Sequence, residues 1–178
     1  MIRIGGAVQR SFYFPADLPT AFDYYRDLSR IFQFLPHISL VKKYSDTEFC
    51  LLYCTTELHV YRVRLFCDLI VDASEDSFIL QIHPADHHKP VSKESGVYSL
   101  TGLGYYSSQS IFIDEGNKTK IDYTLELFGD LPTPMAVRFM PKSVLDNIAN
   151  SITRWRIDEI AEGFIHRSVD AFKNSRRR

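Results

Sequence analysis

The densest run of side chains able to do chemistry is His83-Pro84-Ala85-Asp86-His87-His88. Imidazoles and a carboxylate at short spacing can ligate zinc or another transition metal. Adjacent histidines rarely converge on one ion, however, and the Lys89-Pro90 that follows marks a solvated loop. The expectation is a polar loop, with no metal and no cofactor. Cys50 and Cys54 fall four apart in a stretch with strand character, hence on one face and about 13 Å apart at strand rise. They cannot share an ion or a disulfide. Cys67 sits in an apolar row, and all three thiols read as small buried hydrophobes. A Cys–His nucleophile pair has no support.

Two further groups of residues invite a role. Tyr105-Tyr106-Ser107-Ser108-Gln109-Ser110 is a hydroxyl-rich stretch that runs into Ile111-Phe112-Ile113. Polar side chains of this kind in a dry core would be left unsatisfied. In a cavity, Tyr106 and Gln109 could orient the polar end of a ligand; the other reading is an edge strand facing water. Arg154, Arg156, Asp158, Glu159 and Glu162 suit a solvated helix face with i,i+4 pairing, the alternative being that Arg156 or Glu159 reaches into a cavity. No glycine-rich phosphate loop, Ser/His/Asp order, HExxH or nucleic-acid motif is present.

The elements that must position these groups follow from periodicity. Residues 7–14 read as a first strand, and Pro15-Ala16-Asp17-Leu18-Pro19 as a turn. Thr20 can cap a short helix over Ala21–Asp27, and Ser29 a second reaching about Leu35. From Ile38 to Leu131 the period becomes two, giving strands over Ile38–Tyr44, Glu48–Leu58, His59–Ala73, Ser77–His83, Gly96–Leu100, Tyr105–Ile113 and Lys120–Phe128. In the third of these, Tyr61, Val63, Leu65, Cys67, Leu69 and Val71 share one face, with Arg62, Arg64, Asp68 and Asp72 on the other. One wet and one dry face implies an antiparallel sheet. Ser45-Asp46-Thr47 and Asp114-Glu115-Gly116-Asn117 are hairpin signals, and Pro84–Glu94 reads as an exposed loop. Beyond Pro134 the chain turns helical. Pro141 divides this run into a short segment, Met135–Met140, and one long helix from Lys142 or Ser143 to about Phe172, a rod of about 45 Å. The stripe Val144, Ile148, Ile152, Trp155 marks its first half. It then drifts to Ile157, Ile160, Ala161, Phe164 and Phe172, so that the second half buries a different face, against the N-terminal strand or another subunit.

Composition bounds the rest. The chain has 178 residues, 45% of them hydrophobic and 24% charged, with a formal net charge of −1. That is the balance of one globular α+β domain, covering residues 1–173, with no field to attract nucleic acid. The tail Lys173-Asn174-Ser175-Arg176-Arg177-Arg178 reads as a frayed, solvated end, disordered from residue 174, with at most peripheral membrane contact. Three cysteines do not form a disulfide framework. Together with the absence of a signal-like N-terminus or a long apolar run, this gives a cytoplasmic expectation. The 13 Phe and 10 Tyr suit a core or the wall of a cavity.

The order of elements resembles the START-like superfamily (polyketide cyclase/dehydrase and lipid-transport proteins), whose architecture is called the helix-grip fold. The wording Phe12-Tyr13-Phe14-Pro15-Ala16-Asp17-Leu18-Pro19-Thr20-Ala21-Phe22-Asp23-Tyr24-Tyr25-Arg26-Asp27 is similar to its opening, and Leu35-Pro36-His37 to the entry of its second strand. Met140-Pro141-Lys142-Ser143-Val144-Leu145-Asp146-Asn147-Ile148, running into Trp155-Arg156-Ile157-Asp158-Glu159-Ile160, is similar to a cyanobacterial and plastid branch. The resemblance implies a curved antiparallel sheet of about seven strands around the long C-terminal helix, with two short helices after the first strand. Between sheet and helix it implies a cavity for a hydrophobic or amphipathic molecule such as a lipid, isoprenoid, pigment or polyketide-like compound.

Tyr61, Val63, Leu65, Tyr123, Leu125 and Leu127 on the dry sheet face then oppose Ile148, Ile152 and Trp155 on the helix. If the faces touch, these residues are core; if they stand apart, they line a pocket. The leading expectation is a binding protein rather than an enzyme. A cyclase or hydratase would need a buried group such as His37 or Tyr123 with an altered pKa. A third reading is an assembly module, a homo-oligomer joined through Ile157, Ile160 and Phe164.

Overall fold

The computed structural model describes residues 2–57, 59–85, 94–96, 98–133 and 139–177. The first strand, β1, runs over Ile2–Phe14 and is followed by α1 (Leu18–Arg26), α2 (Leu28–Ile31) and a 3-10 turn at Phe32–Phe34. Then come β2 (Ile38–Lys43), β3 (Glu48–Glu57), β4 (Tyr61–Ser74), β5 (Ile79–Pro84), the two-residue β6 (Glu94–Ser95), β7 (Ser99–Asp114) and β8 (Thr119–Leu131). The chain closes on α3, Lys142–Ser175.

The helix α1 starts earlier than Thr20: the Asp17 carboxylate accepts the Thr20 N–H at 3.0 Å. The cap is therefore Asp17, and Pro19 sits in the first turn, where its missing N–H costs nothing. At the other end Pro141 stands immediately before α3, as its fixed φ and absent donor favour. The expected segment Met135–Met140 lies largely outside the described residues, as does most of the Pro84–Glu94 loop with Asp86, His87 and His88. At the basic end α3 continues through Ser175, and the Arg176 guanidinium lies 4.8 Å from the Phe172 ring centroid.

The strands form one sheet in the order β1-β8-β7-β5-β4-β3-β2, with β6 beside β7. All neighbours are antiparallel except β4 and β7, which also run parallel from Arg62–Ser99 to Phe66–Leu103. β5 is short and pairs only with the far part of β7, so the near part curls round to meet β4 directly. This bends the sheet into a trough. The two strands expected over Gly96–Leu100 and Tyr105–Ile113 are one strand, because Gly104 does not interrupt β7. It permits the β4 approach: a Cβ there would overlap Cys67 Sγ and stand 3.0 Å from Leu65 Cβ. A different glycine role occurs at Gly116, where φ is 82° in the β7–β8 hairpin and Asp114 Oδ1 accepts its N–H at 2.8 Å.

Within the trough lies α3, and its two halves behave differently. Ile157, Ile160, Ala161, Phe164 and Phe172 are buried in the core. Ile160 is fully buried, and the Phe172 ring centroid is 4.5 Å from Phe14 of β1. The Tyr25 hydroxyl shares a 2.8 Å hydrogen bond with Ser168 Oγ, and Tyr24 donates to Ser168 O at 2.9 Å. On the rim, Arg10 of β1 donates to Asp158 and Glu162, so those carboxylates clamp the strand; Glu162 also stands 3.9 Å from His166 Nε2 one turn on. The face expected to make a subunit contact is thus internal, and the second half of α3 packs on β1 and α1. Of the three thiols, Cys50 and Cys67 are buried while Cys54 is only half-buried on the outer sheet face.

Candidate functional site

The inward line on α3 runs Ala149, Thr153, Ile157, Ile160, Phe164, Ser168, Phe172, at helical spacing throughout. The two hydroxyls in it are satisfied locally, since Thr153 donates to Ala149 O at 2.7 Å and Ser168 to Ile165 O at 3.1 Å. Ahead of Ile157 the helix stands off the sheet. Ile148 retains 38% exposure and Val144 is exposed as well.

The space beneath this lifted half is a cavity of about 170 Å³. From β4 come Tyr61, Val63 and Leu65, from β8 Leu127 and Leu131, and from the helix Ile148, Ile152 and Thr153. Six of the residues expected from sequence are therefore brought together here: Tyr61, Val63, Leu65, Leu127, Ile148 and Ile152. The others are not. Trp155 is 59% exposed and points away from the cavity; Thr153, one residue off the apolar stripe, takes the inward position. Gln109 lies on the outer face of β7 over a shallow depression shared with Gln81 and Thr124. Leu125 is fully buried core.

Tyr106 and Tyr123 line a separate, deeper void of about 20 Å³ beneath α1 and α2, together with Ser108 and Ser110. Burial raises both phenols, and each interacts with the other. Among the described residues the Tyr123 hydroxyl nonetheless has no partner in hydrogen-bond geometry. The hydroxyl-rich stretch of β7 is thus split: its even-numbered residues face this void and its odd-numbered ones face out.

Sequence reasoning missed the remainder of the main wall. Ile2 and Ile4 extend β1 beyond its expected start, and Tyr53, Thr55 and Glu57 come from the inward face of β3. Alternation along Phe49, Leu51, Tyr53, Thr55 and Glu57 is the signal that could have identified the last three. Arg156 also reaches the cavity. Its Nε donates to Glu57 Oε1 at 2.9 Å, Nη2 to Glu57 Oε2 at 3.4 Å and Nη1 to Glu159 Oε2 at 2.8 Å. Behind it, His37 Nε2 stands 3.1 Å from Glu159 Oε1. His37 holds a positive φ of 61°, and its carbonyl accepts the Cys54 N–H at 2.9 Å, which fixes the imidazole's base at the start of β2. Burial pushes the Glu159 carboxyl upward, but hydrogen bonds from Arg156 and His37 outweigh it and the group ends below its ordinary value. Burial likewise pushes the Tyr53 phenol up to about 12, so it stays neutral. Among the described residues no cluster of His, Cys, Asp and Glu could hold a metal ion, and no helix is long and apolar enough to cross a membrane.

No family model matches the chain, and no curated protein matches it. Solved structures do. An aromatase/cyclase from Streptomyces superposes with a TM-score of 0.58 at 7% identity, covering 98% of this chain and 96% of its own. A conserved protein from Geobacillus kaustophilus gives 0.57 at 10% identity, with 98% and 97% coverage. A Thermus thermophilus protein gives 0.54 at 14% identity, with 93% and 99% coverage. Over essentially its whole length the chain shares the helix-grip fold of these proteins.

Proposed function

We propose that this protein binds a hydrophobic or amphipathic small molecule (lipid, isoprenoid, pigment or polyketide-like) in the cavity between the open end of the sheet and the lifted half of α3. The observation that carries the reading is the division of α3. A helix free to bury its whole inward face would close on the sheet, as its second half does; the first half instead leaves about 170 Å³ lined mainly by apolar side chains. A dry void of ~150 Å³ is known to accommodate benzene, so this one takes a ring or a short stretch of chain, with the remainder of a larger ligand outside. Binding rather than catalysis is favoured because the charged groups on the wall, Glu57 and Arg156, neutralise each other by direct hydrogen bonds. The name of the Streptomyces neighbour supports polyketide-like compounds among the candidates. The sequence from Met140 to Ile160 supports the cyanobacterial and plastid branch of the superfamily, and three free thiols support a reducing compartment.

Native mass spectrometry of protein purified from its own host, followed by organic extraction, tests the reading. A stoichiometric apolar adduct that is lost in Val63→Phe, a substitution that fills the cavity, is the expected result. A clean apo mass, with no thermal shift across a lipid and pigment panel, would overturn it.

A further inference from the structure

Resting on that reading, we infer that the ligand's polar end is a hydrogen-bond donor without negative charge, an alcohol or an amine rather than a carboxylate or phosphate. Arg156 brings its guanidinium to the cavity wall. Its Nε/Nη2 edge is taken by both oxygens of Glu57 and its Nη1 by Glu159. One face lies over the Trp155 ring, 4.3 Å from its centroid. Three of its five N–H groups are thereby engaged, and the Nε/Nη2 edge, one of the two at which arginine pairs an oxyanion two-pronged, is already filled by Glu57.

Glu57 is the complementary half of the inference. Its side chain is 14% exposed and Arg156's 13%, so both sit in a poorly screened wall. Each Glu57 oxygen accepts one N–H from Arg156 and keeps further lone-pair capacity. The local charge is also unbalanced: Glu57 and Glu159 carry two negative charges against one on Arg156, with His37 Nε2 standing 3.1 Å from Glu159. The hydroxyl protons of Thr55 and Thr153 are already given, to Tyr53 Oη and Ala149 O, while Tyr53, accepting from Thr55, keeps its own proton. With Glu57 as the accepting group and two carboxylates outweighing one guanidinium, this part of the wall repels anions, which discriminates by penalising the wrong partner as much as by holding the right one.

The test uses the full chain at pH 7 with three probes that share an octyl tail: octanol, octylamine and octanoate. Affinities are read by calorimetry, with an environment-sensitive naphthalene dye as a head-group-independent probe and Val63→Phe as the control for site occupancy. Octanol and octylamine should bind at least about tenfold more tightly than octanoate, and Glu57→Gln should narrow the difference. Octanoate binding as tightly as octanol, in a Val63→Phe-sensitive manner, would overturn the inference and leave the cavity reading intact. Failure of all three probes and of the dye would remove the cavity reading, and the inference with it.

Discussion

Replacing Ile160 with alanine should cost far more stability than replacing Ile152, although the two residues stand about two turns apart on one helix. Ile160 is fully buried in the core, whereas Ile152 is half-buried and faces the cavity. Truncating a packed isoleucine forfeits its transfer free energy and opens a new void, about 2–5 kcal/mol together. At position 152 the side chain already borders empty space, so truncation enlarges a void without creating one and forfeits only part of the burial. The expected loss there is below about 1 kcal/mol. Alanine's better helix propensity offsets a few tenths of a kcal/mol at both sites and cancels in the comparison. For a domain of this size 1 kcal/mol moves the melting midpoint by ~2–4 °C. Ile160→Ala should therefore lower it by roughly 5–15 °C and Ile152→Ala by under about 4 °C. Urea unfolding of apo protein followed by circular dichroism measures both, provided the denaturant slope is unchanged. Equal losses would refute the claim that α3 is anchored by its second half and stands free in its first.

Two more predictions follow from the same contacts. Gly104→Ala places a methyl group against Cys67 Sγ and Leu65 Cβ and should destabilise by about 1–3 kcal/mol. Combining it with Cys67→Ala should restore part of that loss, and strict additivity in urea melts would count against the close β4–β7 approach. The Glu159 carboxyl sits below its ordinary value of 4.5 in the folded state. Its contribution is therefore complete above pH 4.5 and is lost as the pH falls through the depressed folded value. Between pH 6 and 3 the wild-type melting midpoint should drop more than that of Glu159→Gln, and parallel curves would exclude the ion pair as a source of acid sensitivity.

Most of the sheet was legible because β4 and β8 alternate strictly, and a period of two assigns faces directly. The error over β7 was to end one strand at Leu100 and start another at Tyr105, when Gly104 between them marks a close approach of two strands. The error over Trp155 has a related origin. Counting apolar residues alone yields the stripe Val144, Ile148, Ile152, Trp155, followed by an apparent drift. The real inward line contains Ala149, Thr153 and Ser168, residues too small or too polar to register as hydrophobic, whose hydroxyls bond to helix carbonyls. There is no drift. The cavity was not legible because hydrophobic pattern fixes which way a side chain points, and carries no information on how far the opposing surface lies. Arg156 belonged to a charged cluster that solvated helices display routinely, and only its Glu57 partner on a distant strand distinguishes it.

The register of β1 bears on how the chain comes together during synthesis. Ile2 pairs with Leu131 and Phe14 with Thr119, so the first strand made has no hydrogen-bonding neighbour until more than a hundred residues have followed it. At ribosomal speeds of ~5–20 residues per second that is a wait of roughly 5–25 s. Throughout it, the 13 residues of the strand are a bare edge of the kind that recruits other unfinished chains. Positive charge within a strand discourages such pairing, and β1 carries Arg3 and Arg10. The Arg10 guanidinium later meets Asp158 and Glu162. Arg10 thus helps to guard β1 while it waits and fastens α3 across it when the helix finally arrives.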